Sequence, residues 1–245
     1  MLMTALFRPA PQPGPQHPIG VVPLRPRRHV LTPYDVVDPQ TYARIRSRYR
    51  PLLIELKSHR RARLAPNVVI LFENRETVLF QIHEVLRIEG HSPAQVAQQI
   101  RSYECLLPQP GQWRATVMVD GGTREQGRRL ATALRQPGAV SVSSGPLGCN
   151  SELARDGDDE AEDAVQYLCF RPPLAMIRAV TRGRAPLRLS LRIGLTRLST
   201  TVSESMRDQL ARDLDPPSGT SLLEALASCP FAPEPGRAWA RGRRQ

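Results

Sequence analysis

The stretch PNVVILFENRETVLFQIHEVLRIE, residues 66–89, decides the fold of this chain. Residues 67–72 form a short apolar run, rich in β-branched side chains, between Pro66 and Asn74. Such a run predicts a strand that is covered on both faces. From residue 77 to residue 89 the apolar positions recur at spacings of three and four, which predicts a helix. A buried strand, a polar turn and a packed helix therefore follow one another directly.

The rest of the chain mixes helix and strand patterns without a strict strand–helix–strand repeat. Helices are predicted near 40–63, 93–106, 124–135, 174–181 and 206–214, and further strands near 112–120, 139–143, 165–170 and 187–193. The acidic segment 151–163 is predicted to be a loop. This mixture predicts an α+β fold with a mainly antiparallel sheet of about four to five strands packed with helices.

Proline content and loss of pattern mark the ends of the domain. Residues 1–33 contain 8 of the 24 prolines, so residues 1–30 are predicted to form a proline-rich, disordered N-terminal arm. Residues 31–214 are predicted to form a single α+β domain. Residues 215–245 are predicted to be a C-terminal tail that is mostly disordered.

Basic residues are concentrated in the first quarter of the chain. The net charge is +11, and Lys57 is the only lysine among the 34 basic residues. The predicted helix 40–63 carries an arginine-rich face that includes Arg44, Arg48 and Arg50. Such a face can bind nucleic acid through phosphate contacts. No aromatic platform or base-reading motif accompanies it, so a solvated surface is the simpler interpretation.

Other function classes receive little support from the sequence. No run approaches the roughly 18 apolar residues that a membrane helix needs, and no signal peptide is evident. The four cysteines (Cys105, Cys149, Cys169 and Cys229) lack the spacing of a zinc site and fit a reducing compartment. We therefore predict a cytoplasmic protein. No motif indicates a cofactor or a known catalytic constellation.

Polar residues at the strand–helix junction form the candidate functional cluster, which comprises Glu73, Arg75, Gln81 and Glu84. Polar groups at the end of a buried strand are a common location for sites. Glu84 lies between apolar rows of the helix, so it needs a partner, either Arg75 or a metal ion. Glu73 and Glu84 are the weak candidates for metal ligands. A structural ion pair and a helix cap are the competing interpretation.

The same residues carry a family resemblance. Residues 72–75 together with Thr77, Gln81, Glu84 and Glu89 resemble the core of an uncharacterised bacterial family, domain-of-unknown-function family three-five-zero-one. The resemblance runs from about residue 31 to 214, and residues 66–89 are its most specific part. No activity is established for the family. Its members are often encoded near rubrerythrin-like and iron–sulfur proteins, which implies a role in redox or peroxide metabolism.

These observations lead to three hypotheses about function. The leading one is a non-catalytic accessory or binding protein with a rubrerythrin-like or iron–sulfur protein as its partner. The first alternative is a metal-binding or enzymatic protein that uses the carboxylate and arginine groups of the junction. The second is nucleic-acid binding through the arginine-rich N-terminal helix.

Overall fold

The computed structural model of the chain describes residues 29–119, 123–154, 165–183, 186–214 and 221–228. In these residues the strands are β1 (Arg61–Ala65), β2 (Val68–Glu73), β3 (Trp113–Val119), β4 (Val140–Ser144), β5 (Leu147–Leu153), β6 (Val165–Phe170), β7 (Arg188–Ile193) and β8 (Thr196–Thr201). The helices are α1 (Pro39–Ser58), α2 (Arg75–Glu89), α3 (Pro93–Tyr103), α4 (Arg124–Leu134), α5 (Leu174–Thr181), α6 (Glu204–Leu214) and α7 (Leu222–Ser228). Short 3-10 helices cover Pro33–Asp35 and Glu104–Leu106.

The eight described strands form one antiparallel sheet in the order β1-β2-β3-β6-β5-β4-β7-β8. The end strands β1 and β8 lie next to each other, so the sheet curls into a nearly closed barrel. The predicted α+β class and antiparallel sheet are confirmed. The predicted count of about four to five strands is wrong, because β1, β5 and β8 are absent from the sequence-based assignment.

The three missed strands have weak local patterns. Residues 61–63 continue the arginine-rich pattern of the preceding helix, yet Arg61 pairs with Leu71 across the β1–β2 ladder. Strand β5 overlaps the start of the acidic segment, and although every second residue is exposed, its one buried residue is the polar Ser151. Strand β8 is polar and almost wholly exposed. These strands are set by pairing with a neighbour rather than by their own hydrophobic pattern.

Apolar side chains from alternate strand positions fill the barrel. Val68, Ile70 and Phe72 of β2 belong to this core, as the period of two along a strand requires. Trp113 of β3 is also buried there, and its indole N–H donates to the carbonyl of Leu210 in α6 at 2.9 Å. That bond satisfies the polar atom of the buried ring and attaches α6 to the barrel.

A second core joins helices to the outer face of the barrel. It contains Tyr49 and Leu53 of α1 and Leu79 and Ile82 of α2. Strand β2 therefore has the barrel core on one face and helices on the other, and all but one of its residues are buried. The prediction that this strand is covered on both faces is confirmed.

Several sequence-based predictions concern residues outside the described ranges. They include most of the proline-rich arm (1–28), part of the acidic segment (155–163) and the tail at 215–220 and 229–245. Between those tail segments the structure forms α7. Each helix in the described ranges is too short or too polar to cross a membrane.

Candidate functional site

The junction between β2 and α2 is held by a reciprocal helix cap. The side-chain oxygen of Asn74 accepts a hydrogen bond from the Thr77 N–H at 3.0 Å. The Thr77 hydroxyl in turn accepts from the Asn74 N–H at 2.9 Å. This capping box satisfies amides that the first turn of a helix leaves unpaired. It also sets the direction in which the next charged side chains leave the backbone.

Glu73 ends β2 and lies on the outer, helix-facing side of the barrel wall. Its buried carboxylate accepts a hydrogen bond from the Thr116 hydroxyl of β3 at 2.7 Å. The Lys57 ammonium of α1 is nearby and lies 5.0 Å from the centre of the Phe80 ring. Burial lowers the pKa of Lys57, and the negative charge of Glu73 opposes that shift. The carboxylate of Glu73 thus has a hydroxyl as its hydrogen-bond partner and interacts electrostatically with the only lysine of the chain.

Arg60 is fully buried beneath the same strand end. Its Nε donates to the carbonyl of Phe72 at 2.8 Å, and Nη2 donates to the carbonyl of Glu73 at 3.1 Å. Nη2 also bonds to the carboxylate of Asp213 in α6. Burial raises the pKa of Asp213, and the Arg60 charge opposes this shift. This arginine fastens β2 to α6 and was missed in the sequence, where it looks like one of many surface arginines.

Arg75, at the first position of α2, turns toward other segments and not toward Glu73. Its guanidinium donates to the carboxylate of Asp35 in the first 3-10 helix. It also donates to the carbonyl of Val30 at 3.2 Å, and Nη2 lies 4.0 Å from Glu224 of α7. Arg75 therefore connects two peripheral segments to the start of α2.

Glu84 pairs with α1. Its Oε1 accepts hydrogen bonds from the Tyr42 hydroxyl at 2.9 Å and from Arg46 Nε at 2.8 Å. Its Oε2 accepts from Arg46 Nη2 at 2.8 Å, so the arginine binds in the bidentate manner. Hydrogen bonding to Arg46 lowers the pKa of Glu84 to about 2, although partial burial acts in the opposite direction. The expected partner, Arg75, is engaged elsewhere.

The four sequence-selected side chains do not share one set of contacts. Glu73 bonds to Thr116, Arg75 to Asp35, and Glu84 to Arg46, while Gln81 is exposed. They form three separate attachments between elements. Whether any of them acts in function stays a prediction.

Glu76, in the first turn of α2, is a further charged residue at the junction. Its Oε1 accepts a hydrogen bond from the backbone N–H of Leu222, the first residue of α7, at 3.1 Å. The Tyr49 hydroxyl lies 3.5 Å from Oε2. Burial raises the pKa of Glu76, and the Leu222 N–H opposes this shift. A partner 146 positions away leaves no local signal in the sequence.

His83 is buried against α1 with both ring nitrogens engaged. Nδ1 donates to the carbonyl of Leu79 at 2.8 Å, and Nε2 accepts from the N–H of Val37 at 3.1 Å. These partners require the neutral ring with its proton on Nδ1. Burial lowers the pKa of His83, in agreement with that neutral form. The ring also stacks on Tyr42, with 4.6 Å between the ring centres.

A small pocket opens beside this histidine. It has a volume of about 220 Å³, and its walls include Tyr42, His83, Leu86, Arg87 and His91. The polar atoms of Tyr42 and His83 are already bonded to other residues. The remaining surface is mainly apolar, with the exposed Arg87 at the rim.

The side chains that could supply metal ligands do not come together in the described ranges. Within the described ranges no group of three or more histidine, cysteine, aspartate or glutamate residues is arranged to hold a metal ion. The weak metal candidates Glu73 and Glu84 are bonded to Thr116 and Arg46. Metal analysis of protein purified without chelators would test this alternative directly.

Comparison with known proteins adds a family but no activity. The family model "Protein of unknown function (DUF3501)" matches residues 30–214, three quarters of the chain. The chain belongs to this family. The resemblance carried by residues 66–89 is thereby confirmed. No curated protein gives a significant match.

A solved structure supports the fold of this DUF3501 member. The protein is described as a novel protein of unknown function from Burkholderia pseudomallei, and it matches with a TM-score of 0.68 at 23% identity. The match covers 76% of this chain and 100% of the other. At this identity the likeness concerns the fold alone.

Proposed function

We propose that this protein is a non-catalytic accessory protein whose role is to bind another protein. The observation that carries the proposal is the use of the junction charges. Arg75 bonds to Asp35 of the first 3-10 helix, and Glu76 bonds to the first amide of α7. Arg75, which belongs to the candidate cluster, and its neighbour Glu76 thus both bind segments of polypeptide.

The ionisable groups behind the junction also suit structural work better than proton transfer. Glu84 has a pKa of about 2 and is held by Arg46, far from the value near the working pH that favours a general base. His83 is neutral, with both nitrogens bonded. These states support a binding role over the metal-binding or enzymatic alternative.

The finer part of the proposal concerns the partner and the compartment. We infer a rubrerythrin-like or iron–sulfur protein as partner, which is the partner class that the family resemblance implies. A reducing cytoplasm suits the thiols of Cys149 and Cys169, which are free. Burial raises the pKa of Cys149 to about 12, so this thiol stays protonated and is a poor nucleophile.

Co-purification from the native host tests the proposal. A tagged full-length protein should recover a rubrerythrin-like or iron–sulfur protein in a stable ratio. A Glu204→Arg variant, altered on the exposed first turn of α6, should recover the same protein. Recovery of the tagged chain alone, at native expression level and low salt, would count against a partner of this class.

Nucleic-acid binding remains a second candidate because of one surface. Arg44, Arg48 and Arg50 of α1 and Arg61 and Arg63 of β1 are all exposed. Exposed arginines on consecutive elements supply the electrostatic part of phosphate binding.

A further inference from the structure

Helix α7 lies beyond the family domain but is packed against it. The family match ends at residue 214, whereas α7 spans Leu222–Ser228. Leu223 is 0% exposed and Leu226 is 9% exposed, and both belong to the same buried cluster as Tyr49 and Leu53 of α1. A short added helix therefore fills an apolar groove on the outside of the domain.

The groove also recognises the polar start of this helix. Glu76 accepts a hydrogen bond from the Leu222 N–H at 3.1 Å, which satisfies an amide that the first turn leaves unpaired. Arg75 Nη2 lies 4.0 Å from the Glu224 carboxylate in that first turn. Ser221 and Glu224 exchange backbone and side-chain hydrogen bonds of 3.1 and 3.0 Å, forming a capping box. The groove thus contacts the N-terminus of α7, one glutamate and two leucines.

α7 is a weakly anchored element by its size. It has seven residues, and an isolated helix of that length is unstable in water because nucleation is costly. Among the described residues it is held in the helical form by two buried leucines, the partly buried Leu222 and Ala227, the contacts with Glu76 and Arg75, and its own capping box. Such elements open locally at a fraction of the global unfolding free energy. Opening α7 would uncover Glu76 and Arg75 together with the apolar floor.

We infer that the groove formed by α1 and the first turn of α2 is a docking site for a helix of a partner protein, which α7 occupies in cis. The fitting helix carries two leucine-sized anchors three positions apart and a glutamate in its first turn. This inference rests on the proposed function and names the surface that such a partner would use. Because a tethered helix acts at an effective concentration on the order of millimolar, a partner helix must displace α7 in order to bind.

Peptide binding to full-length protein tests the inference. The probe is a fluorescent, end-blocked peptide of residues 219–228, GTSLLEALAS, and the readout is fluorescence anisotropy. Leu223→Asp removes a buried anchor, and Glu224→Arg reverses a side chain that is 38% exposed, so the second variant leaves the core intact. Glu204→Arg is the matched control, since it changes net charge equally on an exposed site of α6. A peptide carrying the Leu223→Asp change controls for specificity.

Leu223→Asp and Glu224→Arg are the released variants, because each should free the groove of α7. They should bind the probe at least tenfold more tightly than wild type and the Glu204→Arg control. No saturable binding to a Glu224→Arg protein with a wild-type thermal transition would overturn the inference, as would equal binding by all four proteins. Dimerisation of the released variants, seen by size-exclusion chromatography, would assign the groove to a second copy and also overturn it. If the peptide does not bind but a partner still co-purifies, the groove is not the docking site, and the proposed function stands. Peptide binding without any co-purified partner would show that the groove accepts a helix in trans and would count against a rubrerythrin-like or iron–sulfur protein as the source of that helix.

Discussion

Arg46 binds both carboxylate oxygens of Glu84, each at 2.8 Å, and this bidentate pair joins α1 to α2. The Tyr42 hydroxyl adds a third hydrogen bond to the same carboxylate. The side chain of Glu84 is only 20% exposed, so the pair is screened less than a surface ion pair. The Arg46–Glu84 pair therefore attaches α1 to α2, the helix whose residues carry the family resemblance.

Glu84→Gln should destabilise the protein by about 2 kcal/mol at pH 7, because charge-assisted hydrogen bonds are replaced by neutral ones. The pKa of Glu84 falls from 4.5 to about 2 on folding, so its stabilisation is present above about pH 4.5 and is lost as pH falls toward 2. Urea unfolding at pH 7, 4 and 3 measures this. The variant should show a smaller loss of stability than wild type across that range.

The matched control is Glu125→Gln, which removes the charge from an exposed pair with Arg129. Exposed pairs of this kind contribute about 0–1 kcal/mol. Equal effects of the two substitutions would show that the Arg46–Glu84 pair contributes no more than a surface contact.

Arg60→Ala should lower the free energy of unfolding by about 3–5 kcal/mol. The substitution leaves the buried carboxylate of Asp213 and the carbonyls of Phe72 and Glu73 without their partner. Arg61→Ala, one position along on the exposed side, should change stability by less than about 0.5 kcal/mol. Chemical denaturation of both variants provides the measurement. A double variant, Arg60→Met with Asp213→Leu, should recover part of the loss, since no charge remains buried. An Arg60→Ala protein as stable as wild type would contradict the structural role.

His83 should make stability depend on pH below about 6.5. Burial lowers its pKa in the folded state, so the unfolded chain binds the proton first and stability falls as pH drops below 6.5. His83→Asn should remove this dependence of the free energy of unfolding on pH, which amounts to at most about 1.4 kcal/mol per pH unit for one proton. The measurement is the urea midpoint at pH 7.0 and pH 5.5. His59→Asn, at an exposed site, should keep the wild-type dependence, and a wild-type dependence in His83→Asn would refute the assignment.

Salt titration distinguishes nucleic-acid binding from a solvated arginine surface. If the surface of Arg44, Arg48 and Arg50 binds phosphates, affinity for RNA or duplex DNA should fall steeply between 50 and 200 mM salt, by about 0.9 log units per log unit of salt for each contact. Arg48→Glu should then weaken binding and reduce that slope. Arg207→Glu, on α6 and outside this set of α1 arginines, is the control. Absence of binding at 50 mM salt would end this candidate.

The sequence predicted the parts of the fold that depend on neighbours along the chain. Strand β2 and helix α2 follow from the apolar pattern of residues 66–89, and the Asn74 cap follows from a side chain next to a helix start. Strand β8 was missed because TRLSTT has no apolar face to recognise, yet its backbone pairs with β7. The same reason applies to β5, which is held in the sheet by pairing with β4 and β6.

The partners of the candidate residues depended on the tertiary structure. The local sequence indicates that Glu84 needs a positively charged partner. The chain contains many arginines, and the one that pairs with Glu84 is Arg46, 38 positions earlier. Arg75 finds Asp35 at a separation of 40, although Glu73 is two positions away. Hydrophobic period and caps act over one or two helical turns, so the sequence alone indicates the elements that carry their own apolar pattern or cap. Ion pairs across the fold arise only when packing brings distant elements within hydrogen-bond distance, so the structure decided which charges meet.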